Sequence, residues 1–482
     1  MDDLPPITGD TEQTVDVTRS LPLGRGIDLQ QVRATFGLAL HMHQPTVLGD
    51  GERTTAPLIS NLQYMLDHAG QGDNHNAPVF LRCYGRVADL VGALVARGRR
   101  PRLMLDYSGN LLWGLTQMGQ TDVLAALRRT TEPELAPSIE WLGTMWSHAV
   151  VSSTPVPDLK LHMLAWRHHF AALFGSPALA RVRGFSAPEM HLPIHPDVCY
   201  AYVRALRECG YRWLMVQEHT VESPDGNALR QARLPHLLVA RNSEGETASI
   251  PVLVKTQGSD TKLVGQMQPF GEAKSLDRQP FGDGAVPPYS LQIGDGENGG
   301  VMMNEFPSAY DRAFDELGAG GASGVVAMNG TEYLEALAAM GVDERVFPTV
   351  QPVSQHRIWE QVTGSGPGAA DRAIARVRER DPSFNLDRAS WTSDRSWVAG
   401  YGDVMDPVLR LSARFHERWD GAGADGDARL ADPTYRSSLL YLLLSQTSCF
   451  RYWGHGFWTD IAQEICRRGL ASLAGARSSE DP

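Results

Sequence analysis

Short apolar runs that end in a polar tip recur through most of the chain. Residues 34–40 run apolar into His41, His43, Gln44 and Pro45. Residues 103–105 lead to Asp106 and Asn110, 139–144 to His148, and 182–185 to Pro188 and Glu189. The pattern continues with 213–216 ahead of Gln217 and His219, 289–293 ahead of Asp295 and Glu297, and 324–328 ahead of Asn329. A continuous apolar run bounded by turn chemistry is the signature of a strand buried on both faces. Between these runs, residues 87–96, 162–174 and 198–209 repeat apolar positions at helical spacing, and Thr331 is placed to cap another helix. Strand, polar tip and helix in alternation predict an α/β fold of the (β/α) barrel kind over residues 33–350.

Three regions depart from that rhythm. Residues 1–32, polar and acidic with several prolines, read as a flexible arm. Residues 234–256 hold two β-like runs around a turn at 242–245, which predicts a hairpin or β insertion. Residues 265–288 are rich in Gly, Pro and polar side chains and read as a long surface loop. Loops of that length in a compact domain are usually functional, often as lids. From 351 to 482 the spacing turns helical, over 398–419, 435–450 and 459–473, and predicts a helical region packed on the barrel.

Composition narrows the partners. With 482 residues, 42% of them hydrophobic, the chain can build one large domain and a smaller one. A net charge of −12 argues against nucleic acid or an anionic membrane as partner. No apolar run reaches membrane-spanning length, and the first 21 residues lack the apolar stretch of a secretory leader. Cys83, Cys199, Cys209, Cys449 and Cys466 are scattered and odd in number, as free thiols in a reducing cytoplasm would be, and they give no zinc signature. The expected location is therefore cytoplasmic.

Every polar candidate falls at the carboxyl end of a predicted strand, where parallel α/β folds place their chemistry. Glu189 is the sharpest of them, because a carboxylate beside a buried strand is costly unless it has a partner or a task. An N-cap or ion-pair role is the plainer alternative. His41 and His43 would suit a metal site of the kind that metal-dependent hydrolases build, completed by His148, His219 and Asp295. The same imidazoles, with the Gln44 amide, equally suit hydrogen bonding to sugar hydroxyls. Asp295 and Glu297 lie among Gly294, Gly296, Gly299 and Gly300, a backbone that can approach a ligand closely. A calcium loop would need acidic ligands at a spacing that is missing here. Two carboxylates on two strand tips meet the requirement of retaining glycoside chemistry, a nucleophile and a general acid/base about 5 Å apart.

Together these motifs resemble glycoside hydrolase family 57. Residues 41–45 look like its first conserved region, 140–148 its second, 184–189 its third, 295–298 its fourth and 445–453 its fifth, in family order. The resemblance implies an incomplete (β/α)7 barrel with a helical C-terminal region, no metal or other cofactor, and retaining chemistry on α-glucans. It assigns Glu189 as nucleophile and Asp295 as general acid/base, with the Asp295 pKa raised by partial burial beside Glu189. It implies substrate contacts from His41, His43, Gln44, His148 and Glu297.

The chain departs from the family at Ser186 and Ala187, where bulkier residues are common. It also lacks the tryptophan usual after Asn298, and has Cys449 in place of an acidic residue. Trp113, Trp146, Trp397, Trp453, Trp458 and Tyr452 are candidates for stacking on sugar rings. Trp453 and Trp458 are favoured because they bracket Gly454, His455 and Gly456 just before Asp460. Arg451 either binds at the site or fixes the helical region to the barrel. The expected activity is hydrolysis, transglycosylation or branching of an α-glucan or maltooligosaccharide. A metal-dependent hydrolase or deacetylase and an inactive sugar-binding homologue are the alternatives.

Overall fold

Seven parallel strands frame the molecule, and their carboxyl ends all open on the same face. The computed structural model describes residues 4–10, 29–256, 261–297, 300–318, 324–387, 389, 402–420, 429–430, 432–452 and 456–474. The strands needed here are β1 (Ala34–Met42), β2 (Leu103–Tyr107), β3 (Ile139–Trp141), β4 (Gly184–Ser186), β5 (Trp213–Gln217), β6 (His236–Arg241), β7 (Thr247–Lys255), β8 (Tyr289–Asp295) and β9 (Val325–Ala327). β1 is central and almost wholly buried. It pairs in parallel with β8 along one edge and with β2 along the other. The ring continues from β2 to β3, from β4 to β5, from β5 to β7 and from β7 to β8.

Among the described residues the ladder is not continuous around that ring, and the barrel is incomplete. β3 meets β4 there through a single bridge, Gly143 to Phe185, and β7 meets β8 through one pair, Lys255 to Leu291. Gly143 is required at the first seam, because a Cβ there would lie 2.3 Å from the Tyr211 ring. The register along β1 matters most for the site. His41 stands opposite Asp106 on one side and opposite Asp295 on the other.

The seventh ring strand is not the run 324–328. That run gives the short β9, which pairs only with Ala34, Thr35 and Phe36 at the entry to β1, on the edge that β2 occupies higher up. The place in the ring goes to β7. The hairpin at 234–256 does form, as β6 antiparallel to β7, but β7 is part of the frame and not an insertion. Its first half is polar and exposed and its second half wholly buried, so it alternates where it faces solvent and runs apolar where it enters the ring.

Other expectations change as well. Residues 265–288 are not one long loop. They hold the helix Gln268–Lys274 and a small hairpin, Gln279–Phe281 with Gly284–Val286, and Phe270, Phe281 and Val286 are buried. The described part of the N-terminal arm is packed down, with Ile7 in the main hydrophobic core and Gly9 against the His168 ring. Asn329, not Thr331, caps the helix Gly330–Ala339, through a capping box with Glu332. Thr331 instead donates its N–H (3.0 Å) and its hydroxyl to the buried Glu140.

The C-terminal region is helical. Gly402–Trp419, Pro433–Ser445 and Phe457–Ala474 pack on one another, the first with a strongly one-sided apolar face. Among the described residues no helix is long and apolar enough to cross a membrane.

Candidate functional site

The site is built where β1 leaves the ring. His41 and His43 are one residue apart in an extended segment, and the ring of His148, from the loop after β3, stacks between them. Its centroid lies 4.6 Å from that of His41 and 4.3 Å from that of His43. Each imidazole is held through Nδ1: His41 by Asp106 Oδ2 at 3.0 Å, His43 by Ser108 Oγ at 2.8 Å and His148 by Ser448 Oγ at 2.8 Å.

The electrostatics divide the three rings. Burial pulls the His41 pKa down, but Asp106, Asp295 and Glu297 outweigh it and raise it to about 10. His41 is therefore an imidazolium at neutral pH. Burial, followed for His43 by the charge on His41 and for His148 by His43 and then His41, pushes both well below the ordinary imidazole value. Two neutral rings thus lie against one charged ring, and His148 Nε2 is buried with no hydrogen-bond partner among the described residues.

This arrangement does not fit the metal set read from the sequence. Among the described residues, the ligand atoms of His41, His43, His148, His219 and Asp295 form no group of three or more close enough to share one ion. Among the described residues, the ligand atoms that do lie close together are those of His195, Asp197 and Asp371. There His195 Nδ1 accepts the Asp197 N–H and caps the helix Pro196–Glu208.

Glu189 sits beyond β4, in the turn Pro188–Met190. Proline ends the strand because it has no N–H for the ladder. Glu189 and Met190 then take φ of 58° and 51°, and His148 takes 60°. A side chain in the left-handed region costs on the order of 1 kcal/mol each. Three such residues in one place hold Glu189 Oε1 3.7 Å from His148 Nδ1, with the Glu189 side chain 13% exposed. The C-terminal region closes this side of the site. Thr447 bridges Ala149, the Ser448 N–H donates to the His148 carbonyl at 3.1 Å, and Cys449 Sγ lies 3.6 Å from His43 Nε2.

Opposite His41, Asp295 ends β8 and is exposed, contrary to the partial burial expected of it. The buried carboxyl of this motif belongs to Glu297. Its Oε1 accepts the His43 N–H at 3.1 Å, while its Oε2 is buried and has no partner among the described residues. Burial raises its pKa to about 8; the charge of Asp295 adds to the rise, and that of His41 opposes it. Glu297 thus supports the β1 backbone from behind. Gln44 has a similar place, donating to the Tyr84 hydroxyl at 3.2 Å and accepting from Asn61 Nδ2 at 3.0 Å.

Solved structures of the same fold are known at low sequence identity. A 4-alpha-glucanotransferase from Thermococcus litoralis is similar over 94% of this chain and 60% of its own, with 15% identity and a TM-score of 0.52. An alpha-amylase from Thermotoga maritima matches over 93% of this chain and 95% of its own, with 9% identity and a TM-score of 0.52. An exo-type maltose-forming amylase from Pyrococcus sp. ST04 matches over 93% and 81%, with 13% identity and a TM-score of 0.56. The fold is shared. The chain spans 60% of the length of the glucanotransferase. No protein-family model and no curated protein matches the sequence.

The remaining candidates divide. Trp113 and Trp146 are core residues, 6.3 Å apart between centroids, with the Trp146 N–H on His169. Arg451 is buried and donates to Ser153 Oγ at 2.6 Å and to the Ser153 carbonyl at 3.0 Å, which is the anchoring role. Trp458 is half-buried between Phe450 and Phe457, and Asp460 is exposed beside Arg53. Trp397 and Trp453, and the Tyr452 side chain, lie outside the described residues. Asp106, legible in the sequence only as a polar strand tip without a role, stands opposite His41 and sets the charge of the site. Its signal was its place at a strand tip two residues before Ser108, which holds His43.

Proposed function

We propose that this chain is a retaining enzyme of the family 57 type, a glycoside hydrolase or transglycosylase acting on α-1,4-linked glucans. Glu189 attacks the anomeric carbon and forms a glycosyl-enzyme, and Asp295 protonates the departing glycosidic oxygen. In the second half-reaction Asp295 takes a proton from the acceptor, which is water or a sugar hydroxyl, and that oxygen displaces Glu189. An exposed Asp295 suits this cycle, because it stands open to the glycosidic oxygen on one half-reaction and to the acceptor on the other. His43 and His148, both neutral, are hydrogen-bonding groups for hydroxyls, while the imidazolium of His41 offsets the two carboxylates.

The observation that carries the proposal is the seat of Glu189. A carboxylate is held in a strained turn at a strand tip, 3.7 Å from a neutral histidine and beside the histidine stack. The ordered run of five motifs and the shared fold support the same reading. Incubation with maltooligosaccharides and amylose tests it. New reducing ends mark hydrolysis, a ladder of longer and shorter chains marks transfer, and α-1,6 linkages mark branching. Glu189→Gln abolishes whichever product the native protein makes; substantial residual activity contradicts the assignment.

A further inference from the structure

Beside the site, on the same face, five aromatic rings come together from two distant parts of the chain. Tyr64 lies on the helix Asn61–Asp67, whose first residue is bonded to Gln44. Its ring stacks on His68 at 4.1 Å and 23° and meets Phe457 at 5.6 Å. Phe457 meets Trp458 edge-on at 5.5 Å, and Trp458 leads back to Phe450, next to the Cys449 that faces His43. The row therefore runs outward from the histidine stack.

Two features separate this row from ordinary packing. Phe457 opens the helix Phe457–Ala474 yet remains 45% exposed, one of few large apolar side chains on the described surface. The row is also edged by charged groups, Asp50 against His68 at 3.3 Å and Arg53 against Asp460 at 3.5 Å, all partly or largely exposed. Aromatic faces flanked by hydrogen-bonding groups suit a pyranose, which has an apolar face and an equatorial rim of hydroxyls. A lipid or a protein helix would want a broader apolar patch and fewer charges at its margin.

We propose that Tyr64 and Phe457 form a glucan-binding subsite outside the catalytic centre, which holds the non-reacting arm of a linear α-1,4-glucan. The inference rests on the function proposed above and adds a chain-length preference to it. Short maltooligosaccharides fill the catalytic cleft without reaching the row, whereas longer chains use both.

The test compares KM for maltotriose with KM for a long maltooligosaccharide in native protein, Phe457→Ala, Tyr64→Ala and Phe457→Tyr, with the Tm of each variant as a control for folding. The alanine variants should raise KM for the long chain by about tenfold, the loss that ~1.4 kcal/mol of stacking produces. They should leave maltotriose kinetics and kcat unchanged, and Phe457→Tyr should restore the long-chain KM. Equal losses on both substrates, or no loss on either, overturn the subsite while leaving the catalytic proposal intact. A native protein that neither turns over nor retains any glucan overturns the proposed function, and the subsite with it. Binding of the long chain to Glu189→Gln, with and without Phe457→Ala, reads the subsite apart from turnover.

Discussion

The two carboxylates that face the histidine stack are seated in opposite ways. Glu189 is fixed from every side. A proline ends its strand, two consecutive left-handed residues turn it, and the turn at Thr447 and Ser448, between two C-terminal helices, holds the histidine it touches. Asp295 ends an unbroken strand and looks outward, and its restraint is indirect, through Glu297 buried two residues on. A nucleophile gains from a rigid seat because its reach to one carbon sets the rate. A proton donor gains from an environment that changes when substrate arrives.

The largest effects should come from testing that division of labour. Glu189→Gln and Asp295→Asn are each expected to reduce turnover of amylose by roughly a thousandfold or more, about 4 kcal/mol of transition-state stabilisation. On a glucosyl substrate with a good leaving group, Asp295→Asn should recover formation of the intermediate, whereas Glu189→Gln should not. Burst kinetics read the difference, and equal recovery by both would erase the contrast.

Next comes the charge on which both sides depend. Asp106→Asn removes the carboxylate that holds His41 as a cation, and breaking such a buried pair costs about 3 kcal/mol. NMR titration should find the His41 pKa well below about 10, and thermal melting should show the loss of stability. A melting temperature unchanged by Asp106→Asn would refute the role given to that contact.

The pH dependence follows from the same groups. His41 has a folded pKa raised to about 10, so its stabilisation is complete below the unfolded value of 6.5 and is lost as pH rises through 10. Glu297, raised to about 8, also favours its protonated form in the fold, and stability falls as pH rises from 4.5 through 8. Melting temperatures should therefore decline from pH 6 to pH 9, and Glu297→Gln should flatten the lower part of that decline. A rise over the interval would contradict both assignments.

The smallest expected effect tests the seam with the helical region. Ser448→Ala removes the hydroxyl on His148 Nδ1 and should cost about 1 kcal/mol in denaturant unfolding, with a modest loss of activity. If it has no effect on either, the turn at Thr447 and Ser448 does not position His148.

Much of this was legible in the sequence because buried parallel strands are nearly continuous apolar runs. His41, His148, Glu189 and Asp295 each stand just past one, and the helical region after residue 400 shows its own spacing. The failures have one physical source, the contacts between distant segments. β7 alternates at its exposed start, so it reads as an insertion until β5 and β8 flank it. Residues 265–288 look like loop because their helices are short and their few apolar residues are covered by the barrel. The choice between a site role and anchoring stays open for Arg451 until Ser153 draws it inward, and Glu297, not Asp295, is the buried acid. Burial of a charge depends on what folds over it, and local composition does not carry that.

The central claim is that Glu189 bonds covalently to sugar. An activated fluoro-sugar of α-glucosyl configuration, incubated with native protein and digested for mass spectrometry, should label the peptide containing Glu189 and no other. Label on another carboxylate, or turnover that inverts the anomeric centre and leaves no label, would contradict it.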